Sequence, residues 1–252
     1  MKIVRIKKAG QSAWARMDKE GEFTLLDGAM APTKQHARLG QGDVATLPAC
    51  DPANFLALWN NSRVAAEKLG RAIPTEALYF MKPQTCLSGH GDKVPHPGQG
   101  HNMILEAELG IVIGKKAKDV PLEDVAKVIL GYTCINDFTA KNVVGKDKAF
   151  PQYTRGKGFD GFGGVGPYVE TTRPAPDSRI RGFINGRMVQ DYPVKDLIIQ
   201  PEELVAYLSR QMTLHPGDVI ACGTSLGAES VVAGDVVDVT VDGIGLLRSH
   251  II

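Results

Sequence analysis

One apolar segment carries two acidic residues, and it constrains the fold more than any other part of the sequence. Residues 105–114 are Leu-Glu-Ala-Glu-Leu-Gly-Ile-Val-Ile-Gly, an apolar, β-branched run that ends in glycine and is typical of a strand. Side chains two apart point to the same face of a strand, so Glu106 and Glu108 are predicted to project side by side. Two such anions repel each other unless a cation or a shared proton relieves them.

A third carboxylate is expected beside this pair. Asp137 ends the next strand-like run, residues 131–137, which is otherwise uncharged. On an exposed strand a Glu-x-Glu pair is usually a solvated face, but the apolar surroundings here favour burial, and buried carboxylates need partners. Oxygen-only ligands favour a hard ion such as Mg²⁺, Mn²⁺ or Ca²⁺ over zinc. The sequence therefore predicts a metal site built from three carboxylates.

Composition bounds the class of protein. The chain of 252 residues can bury a core in one large domain, or in one domain plus a small appendage. Its net charge of +1 gives no electrostatic reason to expect nucleic acid or an anionic membrane as a partner. No apolar run approaches the roughly 18 to 20 residues of a membrane span, and residues 1–6 are typical of a strand, not of a signal peptide. The four cysteines stand far apart, so we expect a cytoplasmic protein without structural zinc or disulfides.

Two parts of the chain differ in character. Residues 1–50 are predicted to form a small N-terminal β-rich unit, and residues 51–252 a larger second domain. The 28 glycines and 15 prolines favour many short strands and turns over a helix bundle. In the first unit we expect strands at 1–6, 12–17 and 22–26. We also expect a turn at 18–21 and a loop at 27–28.

The second domain has recognisable helix, hairpin and loop signals. Asn or Ser near an N-cap and Gly70 at the end predict a short helix within 60–70. Proline at the first helical position predicts helices that begin near Pro121 and at Pro201. The other expected elements are a loop over 77–101, a helix over 122–130, a strand–turn–strand over 179–189, a helix over 201–210, a strand over 219–222, a tight loop over 223–227 and a closing hairpin over 234–249.

Several polar residues allow a plain interpretation beside a functional one. Glu67 on the short helix would be satisfied by Arg63 one turn earlier. Three histidines within residues 90–101 suggest metal binding, but they lie among glycines and prolines, and a solvated loop accounts for them; His90 is the one retained as a candidate.

Two glycine-containing segments differ in what they can bind. The segment 155–167 lacks the spacing of a phosphate-binding loop and contains Pro167, so we reject a nucleotide site there. Lys157 in this segment would instead supply a fixed positive charge near the carboxylates. The loop 223–227 can offer peptide N–H groups and one hydroxyl to a carboxylate.

Taken in order, these motifs resemble the fumarylacetoacetate hydrolase family, in its branch of acylpyruvate hydrolases and 2-hydroxyhepta-2,4-diene-1,7-dioate isomerases. The resemblance extends from about Pro48 to the C-terminus. It is carried by Lys82-Pro83, Glu106-x-Glu108, Asn136-Asp137-Phe138-Thr139-Ala140, Lys157-Gly158-Phe159-Asp160, Gly166-Pro167, Asn185-Gly186, and Gly217-Asp218-Val219-Ile220 leading to Gly223-Thr224-Ser225-Leu226-Gly227.

The resemblance implies a fold and a site. The fold would be mixed β-rich α/β, with mixed sheets rolled around the active site of a catalytic domain over 51–252, usually in a homodimer. Mg²⁺ or Mn²⁺ would lie on Glu106, Glu108 and Asp137. The residues implied to bind a small-molecule 2-oxo acid are Thr224, Gly223, Lys157 and Lys82.

The resemblance also implies a reaction. Family members of aromatic catabolism hydrolyse a C–C bond of acylpyruvate-type 2-oxo acids through a metal-stabilised enolate, or decarboxylate, hydrate or isomerise related acids. Their lid usually carries G-x-N-Y-x-x-H-x-x-E, whose His and Glu activate water. Over residues 58–67 the Glu position is kept as Glu67, but the His position is Val64 and the Tyr position is Asn61. Proline is also usual where this chain has Ser225.

The valine matters because an apolar side chain cannot take a proton, and general-base help is worth roughly two to four powers of ten in rate. The catalytic residues we expect are therefore Glu67, Lys157 and, in place of the missing histidine, His90. Two alternatives stay open: a decarboxylase, hydratase or isomerase, and a catalytically silent protein that only binds a 2-oxo acid.

Overall fold

The fold was analysed in a computed structural model that describes residues 1–8, 10–18, 22–26, 38–39 and 45–252. Most of the turn expected at 18–21 and the whole loop expected at 27–28 lie outside these residues. Short strands dominate and helices are few, so the prediction of a mixed β-rich fold is confirmed.

The strands are β1 Lys2–Lys8, β2 Gln11–Met17, β3 Phe23–Leu26, β4 Arg38–Leu39, β5 Ala45–Thr46, β6 Phe55–Trp59, β7 Leu78–Lys82, β8 Leu87–Ser88, β9 Asp92–Val94, β10 Met103–Ile104, β11 Ala107–Ile113, β12 Ile129–Asp137, β13 Thr139–Ala140, β14 Gly163–Glu170, β15 Arg179–Ile184, β16 Arg187–Pro193, β17 Val219–Ala221, β18 Val236–Val241 and β19 Gly245–Ile251. The α-helices are α1 Arg63–Lys68, α2 Lys141–Val144, α3 Tyr153–Gly156 and α4 Pro201–Gln211. Within the described ranges, three 3₁₀ turns occupy Gln84–Cys86, Leu122–Lys127 and Val194–Asp196.

One large mixed sheet contains most of the strands described. Its order is β4-β3-β2-β1-β14-β12-β11-β17-β6-β7, with β5 beside β1 and β8 beside β14. A second sheet has the order β16-β15-β18-β19-β9, and β10 pairs with β13. Most pairs are antiparallel, but β17–β6, β14–β8 and β19–β9 are parallel. Strand β11 lies near the centre of the large sheet, and all of its residues are buried.

The N-terminal strands extend the large sheet. Strand β1 pairs antiparallel with β14, where Lys2 faces Glu170, and with β2. Ile3, Ile6 and Ala15 are buried in the same apolar core as β11. The division into units at residue 50 stays a prediction.

Several predicted elements are found with small changes at their ends. Helix α4 spans Pro201–Gln211 with proline at its start, and α1 is capped by Ser62, whose side chain accepts the N–H of Ala65. The turn between β15 and β16 is Asn185-Gly186, with φ of 51° and 78°. Both residues are left-handed, as a two-residue hairpin turn of this type requires.

Two expectations are wrong. The segment 77–101 is not simply a loop, because β7 pairs with β6, the short β8 pairs in parallel with β14 of the same large sheet, and β9 pairs in parallel with β19 of the second sheet. Such pairing depends on distant strands and leaves no local pattern. The segment 122–130 is not one helix: a 3₁₀ turn ends at Lys127, and the apolar residues from Ile129 onward belong to β12.

All four cysteines are buried and free. Within the ranges that the structure describes, no helix is long and apolar enough to cross a bilayer.

Candidate active site

Strands β11 and β12 bring the three predicted carboxylates together. Ala107 faces Asn136 in the antiparallel pair, and the Asp137 N–H donates to the carbonyl of Glu106, 2.9 Å away. Glu106 immediately precedes β11 and Glu108 lies within it, so their side chains share a face as the period of a strand predicts. One carboxylate oxygen from each of the three residues lies within 4.8 Å of the other two.

Two buried lysines contact this cluster. Lys157 Nζ donates to both Glu106 and Asp137. Lys82 Nζ is fully buried and donates to Asp137 Oδ1 at 2.6 Å and to the carbonyl of Lys157 at 2.5 Å. Three carboxylates and two ammonium groups leave this cluster with one net negative charge when all are ionised. Both ammonium groups form ion pairs with Asp137, and neither lysine forms one with Glu108.

The environment shifts the protonation of these groups in opposite directions. Burial, with the nearby charge of Asp137, raises the pKa of Glu108 well above its usual value. Burial also opposes ionisation of Asp137, but Lys157 and Lys82 more than offset it and lower the pKa of that carboxyl. Burial disfavours the charge of Lys157, yet Asp137 and Glu106 raise its pKa. Lys157 is therefore a fixed cation and not a base.

The donor set fits a hard divalent cation. Glu108 accepts one hydrogen bond from the N–H of Gly223 at 2.7 Å, and Glu106 accepts one from the hydroxyl of Thr139 at 2.7 Å. Among the residues that the structure describes, no thiol or imidazole belongs to the cluster. A buried carboxylate with a raised pKa gains most from a nearby positive charge. Glu106, Glu108 and Asp137 are thus the residues that would hold Mg²⁺ or Mn²⁺.

A cavity of about 500 Å³ opens beside the cluster. Its polar wall includes Glu106, Glu108, Lys157, Thr224 and Ser225. Its apolar wall consists of side chains from several elements: Leu58, Ala65, Leu69, Ile104, Val144 and Leu226. A cavity with an ionic end and an apolar end suits a small organic acid.

The loop 223–227 is shaped by glycine at both ends. Gly223 and Gly227 have φ of 94° and 97°, which other residues rarely adopt. Between them, the peptide N–H groups of Thr224 and Ser225 have no hydrogen-bond acceptor among the described residues. Both residues line the cavity, so these two N–H groups are candidates to bind an anion there.

Gln190 on β16 fixes this loop, and the sequence analysis missed it. Its side-chain oxygen accepts the N–H of Ala107 at 2.8 Å, and its Nε2 donates to the hydroxyl of Thr224 at 2.9 Å. That hydroxyl donates in turn to the carbonyl of Ala107, 3.1 Å away. The sequence signal that could have indicated its burial is the period of β16, which places Gln190 on the same strand face as Tyr192.

A second polar network joins helix α1 to the same loop. The Ser62 hydroxyl is 2.5 Å from Asp196 Oδ2 and 2.8 Å from the hydroxyl of Ser225. Asp196 also accepts from Ser225 at 3.0 Å and from the N–H of Val64 at 2.9 Å. The serine in place of the usual proline thus has a structural partner. Asp196 was missed because its contacts are more than 25 positions away in sequence.

Asn61, at the position of the usual tyrosine, is buried and structural. Its side chain donates to the carbonyls of Ile199 and Cys222 at 3.1 and 2.8 Å, and accepts the N–H of Ile199 at 2.9 Å.

The other candidate residues lie away from the cavity wall. Glu67 is exposed on α1 and Val64 is 45% exposed, and neither lines the cavity. His90 is exposed, and its Nδ1 accepts the N–H of Arg248 at 3.2 Å. Lys82 lies behind Asp137, and Gly223 contacts Glu108. The catalytic roles of Glu67 and His90, and the substrate-binding roles of Lys82 and Gly223, stay predictions.

Mixed sheets with a buried cluster of carboxylates and lysines, beside a cavity that has an ionic and an apolar end, are typical of an enzyme that acts on small molecules. The fumarylacetoacetate (FAA) hydrolase C-terminal family model matches residues 49–252. The chain therefore belongs to the fumarylacetoacetate hydrolase family, as its motifs predicted.

Individual relatives agree with this assignment. An uncharacterized protein of Archaeoglobus fulgidus is 37% identical over 230 residues, which cover 91% of this chain and 88% of that protein. The 4-hydroxyphenylacetate degradation bifunctional isomerase/decarboxylase of Escherichia coli is 36% identical over 201 residues, 79% of this chain but 46% of that longer protein. The structure of 5-carboxymethyl-2-hydroxymuconate delta-isomerase from Mycobacterium smegmatis has a TM-score of 0.87 at 32% identity and covers 100% of this chain and 98% of that one.

Proposed function

We propose that the protein is a divalent-metal-dependent hydrolase that cleaves a C–C bond of an acylpyruvate-type 2-oxo acid. One observation carries the proposal: three clustered carboxylates, only partly neutralised by two lysines, lie beside a cavity that has an ionic and an apolar end, and two of them, Glu106 and Glu108, form part of its wall. Mg²⁺ or Mn²⁺ held by Glu106, Glu108 and Asp137 would supply Lewis-acid chemistry.

The protein's own groups bind the substrate and stabilise the charge that develops during the reaction. The N–H groups of Thr224 and Ser225 bind the substrate carboxylate, since they have no acceptor within the described part of the chain. The apolar wall takes the acyl group. Cleavage leaves an enolate, and the fixed charge of Lys157 stabilises the negative charge that develops there. The acyl carbon takes a hydroxyl group from water.

Decarboxylation or isomerisation of a related 2-oxo acid is the second candidate. Both reactions need enolate stabilisation but no activated water. No imidazole lines the cavity in the part of the chain described here, and Glu67 is exposed outside it. The E. coli relative is itself named an isomerase/decarboxylase.

Product analysis distinguishes these reactions. Acetylpyruvate, fumarylpyruvate and oxaloacetate would be incubated with Mg²⁺ or Mn²⁺, with and without chelator. Pyruvate and a carboxylic acid, lost on chelation, are the products we expect. Pyruvate with CO₂ would assign decarboxylation instead. Absence of turnover, combined with metal-dependent thermal stabilisation by oxalate, would contradict the hydrolase and favour a protein that only binds 2-oxo acids.

A further inference from the structure

Tyr153 lines the cavity. It belongs to none of the sequence motifs named above, and its side chain forms no hydrogen bond or ion pair with the carboxylates and lysines of the cluster. It begins α3, and its ring is half-buried. The ring stacks on Phe80 with centroids 5.3 Å apart and an interplanar angle of 20°, and lies 6.0 Å from the ring of Trp59. Among the described residues, none forms a hydrogen bond with the Tyr153 hydroxyl.

Two cations contact this group of three aromatic rings. Lys157 Nζ is 5.5 Å from the centroid of the Phe80 ring, and the Arg71 guanidinium carbon is 5.4 Å from the centroid of the Trp59 ring. Burial raises the pKa of Tyr153, as the nearby charge of Glu106 does, while Arg71 and Lys157 lower it. The phenol is therefore neutral near pH 7, and the positive charges of Arg71 and Lys157 would stabilise a phenolate formed there.

The proposed reaction needs a proton donor at this place. An enolate must gain a proton on carbon before pyruvate can leave. Lys157 is paired with two carboxylates and has a raised pKa, and Arg71 does not release its proton. The Thr224 hydroxyl donates to Ala107, and Lys141 is exposed at the edge of the cavity. Among the other lining groups, the hydroxyls of Ser62 and Ser225 are held in the loop network, and that of Thr139 donates to Glu106. The side-chain amide of Asn60 donates to the carbonyl of Ala72, and neither this amide nor the indole of Trp59 is among the side chains that ionise.

We propose that Tyr153 is a catalytic residue that protonates the enolate carbon. The inference rests on the proposed function. The phenol O–H bond breaks, a C–H bond forms from the electron pair of the enolate, the 2-oxo carbonyl re-forms, and the negative charge passes to the phenolate oxygen. In hydrolysis one water supplies the hydroxyl group to the acyl carbon and the proton that restores the phenol. In decarboxylation that proton comes from solvent.

The substitution Tyr153→Phe removes only the hydroxyl and keeps the stacked ring. We expect kcat to fall by roughly 10²- to 10⁴-fold, the usual range for general acid catalysis, with KM changed by less than about twofold. Exchange of the pyruvate methyl protons in D₂O with Mg²⁺, followed by proton NMR, should slow in parallel. Thermal stabilisation by Mg²⁺ and oxalate should be unchanged, because neither the fold nor the binding groups are altered.

Tyr79→Phe is the matched control, since Tyr79 is half-buried on the neighbouring β7 but does not line the cavity. Its turnover and exchange rates should equal those of the wild type. If Tyr153→Phe behaves in the same way while the wild-type protein turns over substrate, the role of Tyr153 is refuted and the proposed function stands. If the wild type itself fails on every substrate, the proposed function fails.

A readout without metal or substrate tests the electrostatics separately. The difference in tyrosine absorbance between wild type and Tyr153→Phe, titrated with base, isolates the phenolate of Tyr153. Arg71→Met should raise the pKa of Tyr153, because it removes one of the flanking positive charges. An unchanged titration would show that the charge of Arg71 does not stabilise the phenolate of Tyr153.

Discussion

At the scale of single residues, the site holds several ionisable side chains that are buried away from water. Burial of an ion costs several kcal/mol unless partners replace its hydration. Asp137 has two ammonium partners, whereas the only hydrogen bond that Glu108 accepts from the described residues comes from a peptide N–H. This asymmetry separates a carboxylate that is already satisfied from one that still needs a cation, and two predictions follow from it.

Substitution of Lys82 tests how much its ion pair with Asp137 stabilises the fold. Lys82→Met removes one partner of a fully buried anion, so we expect the free energy of unfolding to fall by about 3–5 kcal/mol. Urea denaturation of the metal-free protein measures it. Lys195→Met breaks a lysine–aspartate pair of the same kind on the surface and should cost less than about 1 kcal/mol. Equal losses for the two variants would contradict the burial argument.

The second prediction concerns Glu108 and the dependence of metal affinity on pH. Because burial raises its pKa, protons compete with metal at a pH above the ordinary range of glutamate, about 4.3. The affinity for Mn²⁺ should therefore fall as the pH is lowered through that raised value, and rise again on return. Calorimetric titration with Mn²⁺ at a series of pH values measures this dependence. A constant affinity down to about pH 4.5 would refute it.

At the scale of elements, two contacts fix helices to the sheet and loops around the site. Asp196 receives hydrogen bonds from Ser62, from Ser225 and from the N–H of Val64, so one carboxylate joins the start of α1 to the loop 223–227. Helix α4 is joined to β12 and to Arg173 through Glu202.

Removal of Asp196 should loosen α1. Asp196→Ala leaves two hydroxyls and one peptide N–H without their acceptor, and we expect a loss of about 1–3 kcal/mol in the free energy of unfolding. Hydrogen exchange should also show faster opening of α1 than of α4. Asp177→Ala, at an exposed ion pair, is the control. Equal protection of α1 in both variants would show that Asp196 does not fix the helix.

Glu202 should make stability depend on pH. Burial opposes its charge, but the hydrogen bonds from Arg173 and Tyr132 lower its pKa below the usual value. A lowered pKa in the folded state gives stability that is present above the unfolded pKa of about 4.3 and is lost as the pH falls through the folded value. Glu202→Gln should therefore cost about 1–2 kcal/mol near pH 7 and progressively less toward acid.

The corresponding measurement is urea denaturation of wild type and Glu202→Gln between neutral and acidic pH. Glu123→Gln, an exposed residue in the 3₁₀ turn, controls for loss of a surface charge. A difference that is independent of pH would show that the ion pair is not what stabilises α4.

At the scale of the whole molecule, local patterns predicted the elements better than their partners. The apolar run before Gly114, the Asn185-Gly186 turn and Pro201 each leave a local signal, and β11, the β15–β16 hairpin and α4 are found where expected. The parallel pairing of β8 and β9 has no local signal, since it depends on strands far away in the chain.

The same distinction applies to the site. The carboxylate cluster could be predicted because the strand period places Glu106 and Glu108 on one face, and Asp137 ends a neighbouring strand. Gln190 and Asp196 could not, because a polar residue gives no sign of which distant group it contacts. Glu67 was chosen by its motif position, yet α1 leaves it exposed outside the cavity. The homodimer implied by the family resemblance stays a prediction.

The central claim is that the three carboxylates hold the divalent ion on which turnover depends. The direct measurement compares wild type and Glu106→Gln for Mn²⁺ affinity, by calorimetry, and for acetylpyruvate turnover, with Glu229→Gln on the exposed surface as control. We predict that Glu106→Gln loses Mn²⁺ binding and turnover together while keeping its fold, and that the control loses neither. Turnover that persists in Glu106→Gln, or in wild-type protein freed of metal by a chelator, would contradict the account.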